Sequence, residues 1–286
     1  MLAQSITSSL RGRWFGSYGY VRCVAHKDGR PSLRLRDGER GRLLVYCHAG
    51  CDSSVILDRL RQARVLTASE PSTAEQQALQ RAQEATEARR KQERIAEANR
   101  LWCRCSRPQD TPVSAYLTGR GIVLPIPPTI RYASALSHPD SQNLFACMVA
   151  AVQQPDRRVT GIHRTYLARD GRKAKLDSAK LSLGPIAGGA VRLAAPAEEM
   201  AVGEGIETCL SFMQLTSIPT WAGLSTSGLK GFCPPPQCKK LHILVDNDEN
   251  GAGHTAADIL SKRLGIACEM RESPTGKDWN DAVMNG

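Results

Sequence analysis

Leu241-His-Ile-Leu-Val-Asp246-Asn-Asp248-Glu-Asn-Gly-Ala-Gly253 decides how the chain folds. Ile243, Leu244 and Val245 form an apolar run that stops abruptly at two carboxylates in an i, i+2 pair. A glycine-rich turn follows, then a helix-like stretch from Ala256 to Leu264. Such a run reads as a buried strand, with the acids at its C-terminal end, where open α/β sheets place their ligands. Two carboxylates held close repel each other unless a cation lies between them, and Mg²⁺ takes oxygen ligands of this kind. Asp-x-Asp is equally the chemistry of an ordinary surface turn, so the pair means metal only beside other acids.

Those acids are present. Met200-Ala-Val-Gly-Glu204-Gly-Ile-Glu-Thr-Cys-Leu-Ser211 repeats the pattern of short apolar strand, acid, glycine and amphipathic helix. Ala267-Cys-Glu-Met270 is another short strand, followed by Gly276-Lys277-Asp278-Trp279-Asn280-Asp281. Right-handed crossovers in a parallel sheet put all three turns on one side, so the acids converge on one edge.

Glu204-Gly205, Asp246-x-Asp248 and Gly276-Lys277-Asp278 resemble the motifs of the Toprim domain, the metal-binding fold of bacterial-type primases, topoisomerases and some nucleases. The resemblance covers residues 196–286. It implies Glu204, Asp246 and Asp248 as ligands of catalytic Mg²⁺ or Mn²⁺, with Asp278 an added catalytic acid of the primase branch. Primases often carry one more acid two residues later. Here that position is Asn280, with Asp281 next to it.

Charge is uneven along the chain. Residues 1–64 and 107–195 each carry +7, residues 65–106 carry +1, and residues 196–286 carry −5. Two basic regions holding a polyanion that an acidic, metal-binding region processes would fit this layout, although solvated basic faces would give it too. No apolar run approaches the roughly 18 residues of a membrane span, and Arg11 and Arg13 interrupt any signal-type core near the start. Ten cysteines in such a chain are expected as reduced thiols, some on metal, in a cytoplasmic protein without membrane partners.

Cys23-x2-His26 and Cys47-x3-Cys51 pair as two knuckles of a four-ligand zinc site, with His48 the rival to Cys51. Between them, Pro31–Arg36 and Gly41–Tyr46 alternate as two strands joined at Asp37-Gly38. A module this small buries too little core to hold without a staple. Cys23, His26, Cys47 and Cys51 resemble the zinc-binding domain of bacterial and phage primases, and Ala25–Leu33 and Cys47–Cys51 are close to the phage and mobile-element version. The resemblance implies structural Zn²⁺ and a role in recognising template rather than in the chemistry. Arg34 and Arg36 are the expected phosphate contacts, and Tyr46 either stacks a base or joins the core.

Residues 65–106 read as a solvated helical linker rich in Ala, Gln, Glu and Arg, with Cys103 and Cys105 as plain thiols. Residues 107–195 read as a basic α+β subdomain. In it Phe145–Val152 is a buried strand, Val159–Leu167 its antiparallel partner, and a Lys/Arg cluster follows. Arg164, Lys175 and Lys180 are the expected nucleotide or nucleic-acid contacts, against ordinary solvation of a hairpin; His163 reads as structural. Gly223–Lys230 approaches a phosphate-binding loop, but Leu229 stands at the lysine position, so no nucleotide-driven helicase is expected.

The expected architecture is therefore an α/β Toprim domain with a parallel-sheet core (196–286), preceded by the α+β basic subdomain (107–195), the linker (65–106) and a small β-rich zinc module (1–64). The expected function is that of a DNA primase, making RNA primers from nucleoside triphosphates on single-stranded DNA, with the helicase supplied by a separate protein. A Toprim nuclease and a non-catalytic recombination mediator are the alternatives. Extension or degradation of labelled substrates separates the first two, and a pure binder has no need of carboxylates near phosphate.

Overall fold

The computed structural model describes residues 2–39, 42–65, 73–247 and 251–285, without the side chains of residues 73–76, 78 and 79. Asp248, expected as a metal ligand, lies outside the described residues. The chain forms two compact units, residues 1–83 and 84–286.

In the N-terminal unit, α1 (Leu2–Ser9), β1 (Arg13–Trp14), β2 (Gly19–Val21), β3 (Leu33–Asp37), β4 (Leu43–Cys47) and α2 (Ser53–Gln62) follow in order. The four strands make one antiparallel sheet, β1-β2-β3-β4. The two strands expected from alternation are β3 and β4; β1 and β2 extend the sheet beyond them. Leu33 and Leu35 point inward with Val21, Ile6, Ile56 and Leu60, in a core of ten buried residues among those described. Asp52 caps α2, its side chain accepting from Ser54 N, while Arg59 and Arg61 sit in the last turn, where they complement the helix dipole.

α3 (Thr73–Arg104) is a single 32-residue helix. Its last turns depart from the solvated linker that was expected. Ala98 is fully buried with Cys105, and Leu101 and Trp102 pack beside them against the central sheet. Their 3–4 spacing gives the helix end an apolar stripe that its alanine- and glutamate-rich start lacks. Asn99 Nδ2 adds a hydrogen bond of 2.9 Å to Val159 O.

The central sheet is antiparallel, β5-β6-β7-β8, built from β5 (Ile130–Ser137), β6 (Leu144–Gln153), β7 (Val159–Leu167) and β8 (Lys180–Leu183). β6 is covered on both faces, Met148, Ala150 and Val152 in one core and Cys147 and Val149 in the other, which is why Cys147–Val152 reads as an unbroken apolar run. α4 (Pro112–Gly119) precedes the sheet, with Pro112 in its first turn and a capping box between Thr111 and Ser114.

The C-terminal sheet is β13-β12-β10-β11-β9, from β9 (Val191–Arg192), β10 (Glu199–Gly203), β11 (Thr220–Ala222), β12 (Lys240–Val245) and β13 (Ala267–Glu272). All pairings are parallel except that of β9 at one edge. α5 (Ile206–Thr216), α6 (Thr226–Lys230), α7 (Ala252–Arg263) and α8 (Trp279–Asn285) complete the unit. Tyr116, Met148 and Leu167 share one core with Ile206, Phe212 and Trp279, so the central and C-terminal sheets are packed into one body. Each large side chain buried there contributes about 1.5–3 kcal/mol.

Candidate functional site

In the N-terminal unit, Cys23, His26, Cys47 and Cys51 offer one donor atom each, all within 4.8 Å of one another. Cys51 is therefore the fourth donor, and His48 stands apart, with Nε2 at 3.0 Å from the Tyr20 hydroxyl. His26 turns Nδ1 to the sulfurs, 3.1 Å from Cys51 and 3.9 Å from Cys47. A tetrahedral zinc site with bonds of about 2.0–2.3 Å sets its donors roughly 3.5–3.8 Å apart, so the geometry fits. The thiols respond to their crowding. Burial pushes Cys23 and Cys51 up, Cys51 to about 11. Burial also acts against Cys47, but the N–H groups of Cys51 and Ala49 and the Ser32 hydroxyl outweigh it and bring that thiol down to about 6. Several thiolates crowd onto one point only around a cation, which is the condition a dication meets.

Asp28 was not singled out from the sequence, yet it braces the cluster. Its carboxylate accepts from the Ser32 hydroxyl at 2.6 Å and from Cys23 N at 2.7 Å, which hold it down at about 2. Its Oδ1 lies 3.8 Å from His26 Nε2. That distance is too long for a hydrogen bond, so Asp28 braces the cluster through the Cys23 backbone and Ser32. The available signal was the spacing, an acid two residues after the histidine.

The outer face of the same sheet carries a second feature. Register places Arg13 opposite Tyr20, Tyr20 opposite Arg34, and Arg34 opposite Tyr46, an Arg–Tyr–Arg–Tyr row across four strands. Phe15 stacks on Tyr18, with centroids 5.4 Å apart, and the Arg34 guanidinium lies 4.3 Å from the Tyr18 ring. Tyr46 is 63% exposed and Phe15 43%, so Tyr46 is not a core residue. Arg36 lies two residues along β3 from Arg34, on the same face. Sequence reading found Arg34, Arg36 and Tyr46. It missed Arg13, Phe15, Tyr18 and Tyr20, whose signal was the density of aromatics between residues 13 and 20.

In the C-terminal unit, Glu204 and Asp246 are the first residues beyond the ends of β10 and β12, which are parallel neighbours. Both are half-buried. On α5, burial pushes the Cys209 thiol well up, and the charges of Asp246, Glu207 and Glu204 add to the shift. A side chain on Gly203 would meet Cys209 Sγ at 3.0 Å, so glycine there lets α5 close onto the strand carrying Glu204. Gly223–Lys230, the near-miss for a phosphate loop, lies beside this edge instead. Gly223 N bonds Gly203 O at 2.8 Å and Leu224 N bonds Glu204 O at 2.9 Å. Leu224 has φ of +71°, a strained conformation for a leucine, imposed where the loop meets Glu204.

The third acidic turn joins the same edge through the backbone. Asn247 N donates to Lys277 O at 2.7 Å, and its side chain reaches Ser273 O and Gly276 O. Asp278, expected as an added catalytic acid, binds the backbone of its own turn. Its Oδ1 accepts from Asn280 N at 2.8 Å and Asp281 N at 3.0 Å, capping α8. Asp281 accepts from Lys277 N at 2.8 Å, tightening the turn. Asn280 is fully buried, donating to Arg120 O and Ser211 Oγ, so it serves packing and not the acidic edge.

The three basic residues expected to act together are separated. Lys180 and Ser182 pair with Thr165 and His163, on the sheet face turned to α4 and α5. Arg164 lies on the opposite face, over Tyr166 and toward the core that includes Ala98. A strand's alternation forces this, because neighbours in sequence point to opposite sides. Lys175 is exposed in the turn before β8. Lys180 Nζ reaches Glu207 Oε2 at 2.8 Å, and the Tyr116 hydroxyl donates to Glu207 Oε1 at 2.7 Å. Burial pushes Glu207 up, but the Lys180 ammonium and the two hydrogen bonds outweigh it and hold the carboxyl at about 2. Burial, aided by the charge of Lys180, drops His163 to about 4. Glu207 was passed over as one more polar residue of an amphipathic helix, and nothing local in the sequence marks it.

Residues 199–286 match the family model of the Toprim domain. This segment is a Toprim domain. Its parallel-sheet core and the edge formed by Glu204 and Asp246 agree with the architecture expected from the sequence. Upstream of the Toprim domain, residues 92–193 match a domain of unknown function, DUF7146. Among curated proteins none matches the chain. Solved structures similar to the chain include the following three, each at low identity. The primase fragment of the bacteriophage T7 primase-helicase protein aligns at 17% identity over 60% of this chain and 65% of its own, with a TM-score of 0.42. The Aquifex aeolicus primase (zinc-binding and RNA polymerase domains) aligns at 16% over 99% and 79%, TM-score 0.43. The DnaG primase catalytic domain bound to ssDNA aligns at 12% over 68% and 78%, TM-score 0.46. Among the described residues, no helix is long and apolar enough to cross a membrane.

Proposed function

We propose that the chain is a DNA primase, joining ribonucleotides on single-stranded DNA by metal-dependent nucleotidyl transfer. The observation that carries the reading is the Toprim edge, where Glu204 and Asp246 leave neighbouring parallel strands side by side. A half-buried pair of carboxylates at adjacent strand ends suits a hard dication, and Asp248 is proposed as their companion. Mg²⁺ held there would neutralise the triphosphate and make the attacking 3′-hydroxyl easier to ionise. Asn247, tied to the 273–277 turn, keeps Asp246 from swinging away from the edge. Asp278 acts in this reading by ordering that turn.

The Cys23, His26, Cys47 and Cys51 cluster is assigned structural zinc, braced by Asp28. The Arg–Tyr–Arg–Tyr row then offers template two kinds of contact, guanidinium for phosphate and ring faces for unstacked bases. Exposed Lys175 adds positive charge on the other unit. A separate helicase is proposed as the supplier of single-stranded template.

The test is to incubate the full chain with single-stranded DNA, Mg²⁺ and labelled ribonucleotides. Labelled products that lengthen with time, and need both template and metal, support the reading. Shortening of the DNA without incorporation of label makes the chain a nuclease.

A further inference from the structure

The Lys180–Glu207 pair is an expensive way to join two sheets. Burying a carboxylate costs several kcal/mol, and apolar side chains of similar size often replace such pairs at no loss. Three elements nevertheless converge on Glu207, whose side chain is 5% exposed: α5 carries it, α4 sends the Tyr116 hydroxyl to one oxygen, and β8 sends the Lys180 ammonium to the other. The lysine is not consumed by this contact. Its side chain remains 39% exposed, and an ammonium has three donors, of which Glu207 takes one. Thr165, its cross-strand partner on the same face, has a buried hydroxyl with no hydrogen-bond partner among the described residues. Glu207 stands three residues after Glu204, in the first turn of α5, the helix that follows β10. The anchored end of Lys180 thus lies at the start of α5, about one helical turn beyond Glu204.

We propose that Glu207 is a positioning residue, which with Tyr116 holds Lys180 at the Glu204–Asp246 edge so that its free N–H donors meet the triphosphate of a metal-bound nucleotide. The proposal rests on the nucleotide-handling reading given above. It explains why a third carboxylate at an edge meant for polyphosphate does no harm. Glu207 is neutralised by the lysine it holds, and what the nucleotide meets is an oriented donor. It also separates Lys180 from Arg164, which faces the other side of the sheet and has no such part.

The test measures equilibrium binding of a fluorescent ribonucleoside triphosphate to the full chain in Mg²⁺, alongside thermal unfolding and, separately, primer synthesis. Glu207→Gln keeps the shape of the site and removes the charge. It should weaken triphosphate binding about 10-fold, raising KM more than it lowers kcat, while the folded state persists. Lys180→Ala should weaken binding at least as much, and the double variant no more than Lys180→Ala alone, because Glu207 acts through the lysine. Tyr116→Phe, which preserves volume, should weaken binding about 2- to 5-fold and serves if Glu207→Gln does not fold. Wild-type binding in Glu207→Gln and Tyr116→Phe, or additive losses in the double variant, overturns the proposal and leaves the pair a structural tie. Wild-type chain that binds triphosphate but extends no primer overturns the primase reading alone. Wild-type chain that binds no triphosphate overturns both.

Discussion

Acid should weaken this fold through His163, and the size of the effect follows from its surroundings. The ring lies on the inner face of β7, with Nδ1 3.3 Å from Ser182 Oγ and the charged Lys180 nearby. Burial, and then that neighbouring charge, bring it from 6.5 to about 4. Between these values the unfolded chain takes up the proton and the folded chain refuses it, so stability is lost as pH falls through the window. At pH 4.5 the penalty is about 2.5 kcal/mol relative to pH 7.5, a substantial part of an ordinary domain's stability. His163→Gln keeps a hydrogen-bonding group toward Ser182 and removes the titration. Urea unfolding of both proteins at the two pH values measures the difference. Glu207, held at about 2, loses its own stabilising contribution mainly below the usual carboxylate range, and does so in both proteins. The wild type should lose about 2.5 kcal/mol more than His163→Gln on acidification. Equal losses would refute the assignment of a neutral, buried imidazole beside Lys180.

Three further perturbations test other parts of the account. Chelation, or Cys47→Ser, should remove one zinc per chain and unfold the N-terminal unit, since structural zinc supplies on the order of 10 kcal/mol to small domains; metal analysis and near-ultraviolet circular dichroism check this. Tyr46→Ala should weaken single-stranded DNA binding about 5- to 100-fold, as expected for loss of one stacked base, and Arg34→Ala should flatten the salt dependence of binding, both read by fluorescence anisotropy. Asn280→Asp exchanges two buried donors for a carboxylate facing Arg120 O, and should cost roughly 3 kcal/mol in thermal unfolding rather than improve activity.

What the sequence makes legible is what short-range pattern encodes. The run ending at Val245 reads as a buried strand because β12 is covered on both faces, Ile243 and Val245 in one core and Leu244 in the other, and the two cysteine knuckles announce themselves by spacing. The Asp246 and Glu204 turns converge because parallel crossovers leave no other option. What stays hidden depends on faces and distant partners. Lys180, Arg164 and Lys175 look like one cluster along the chain, yet strand alternation sends the first two to opposite sides of a sheet. Glu207 acquires its meaning from Tyr116 and Lys180, 91 and 27 residues away. Asp278 and Asn280 look like an added catalytic acid and a gap in a motif, and in the fold Asp278 caps a helix while Asn280 packs in the core. The aromatic row emerges only once register sets β1 and β2 beside β3 and β4.

The central claim is that Glu204 and Asp246 form the metal edge of a primer-making site. Template-dependent incorporation of labelled ribonucleotides by wild type, Glu204→Gln and Asp246→Asn, each shown to be folded, tests it most directly. The account predicts Mg²⁺-dependent primers from the wild type and a loss of at least 100-fold in both variants. Undiminished primer synthesis by either folded variant would contradict it.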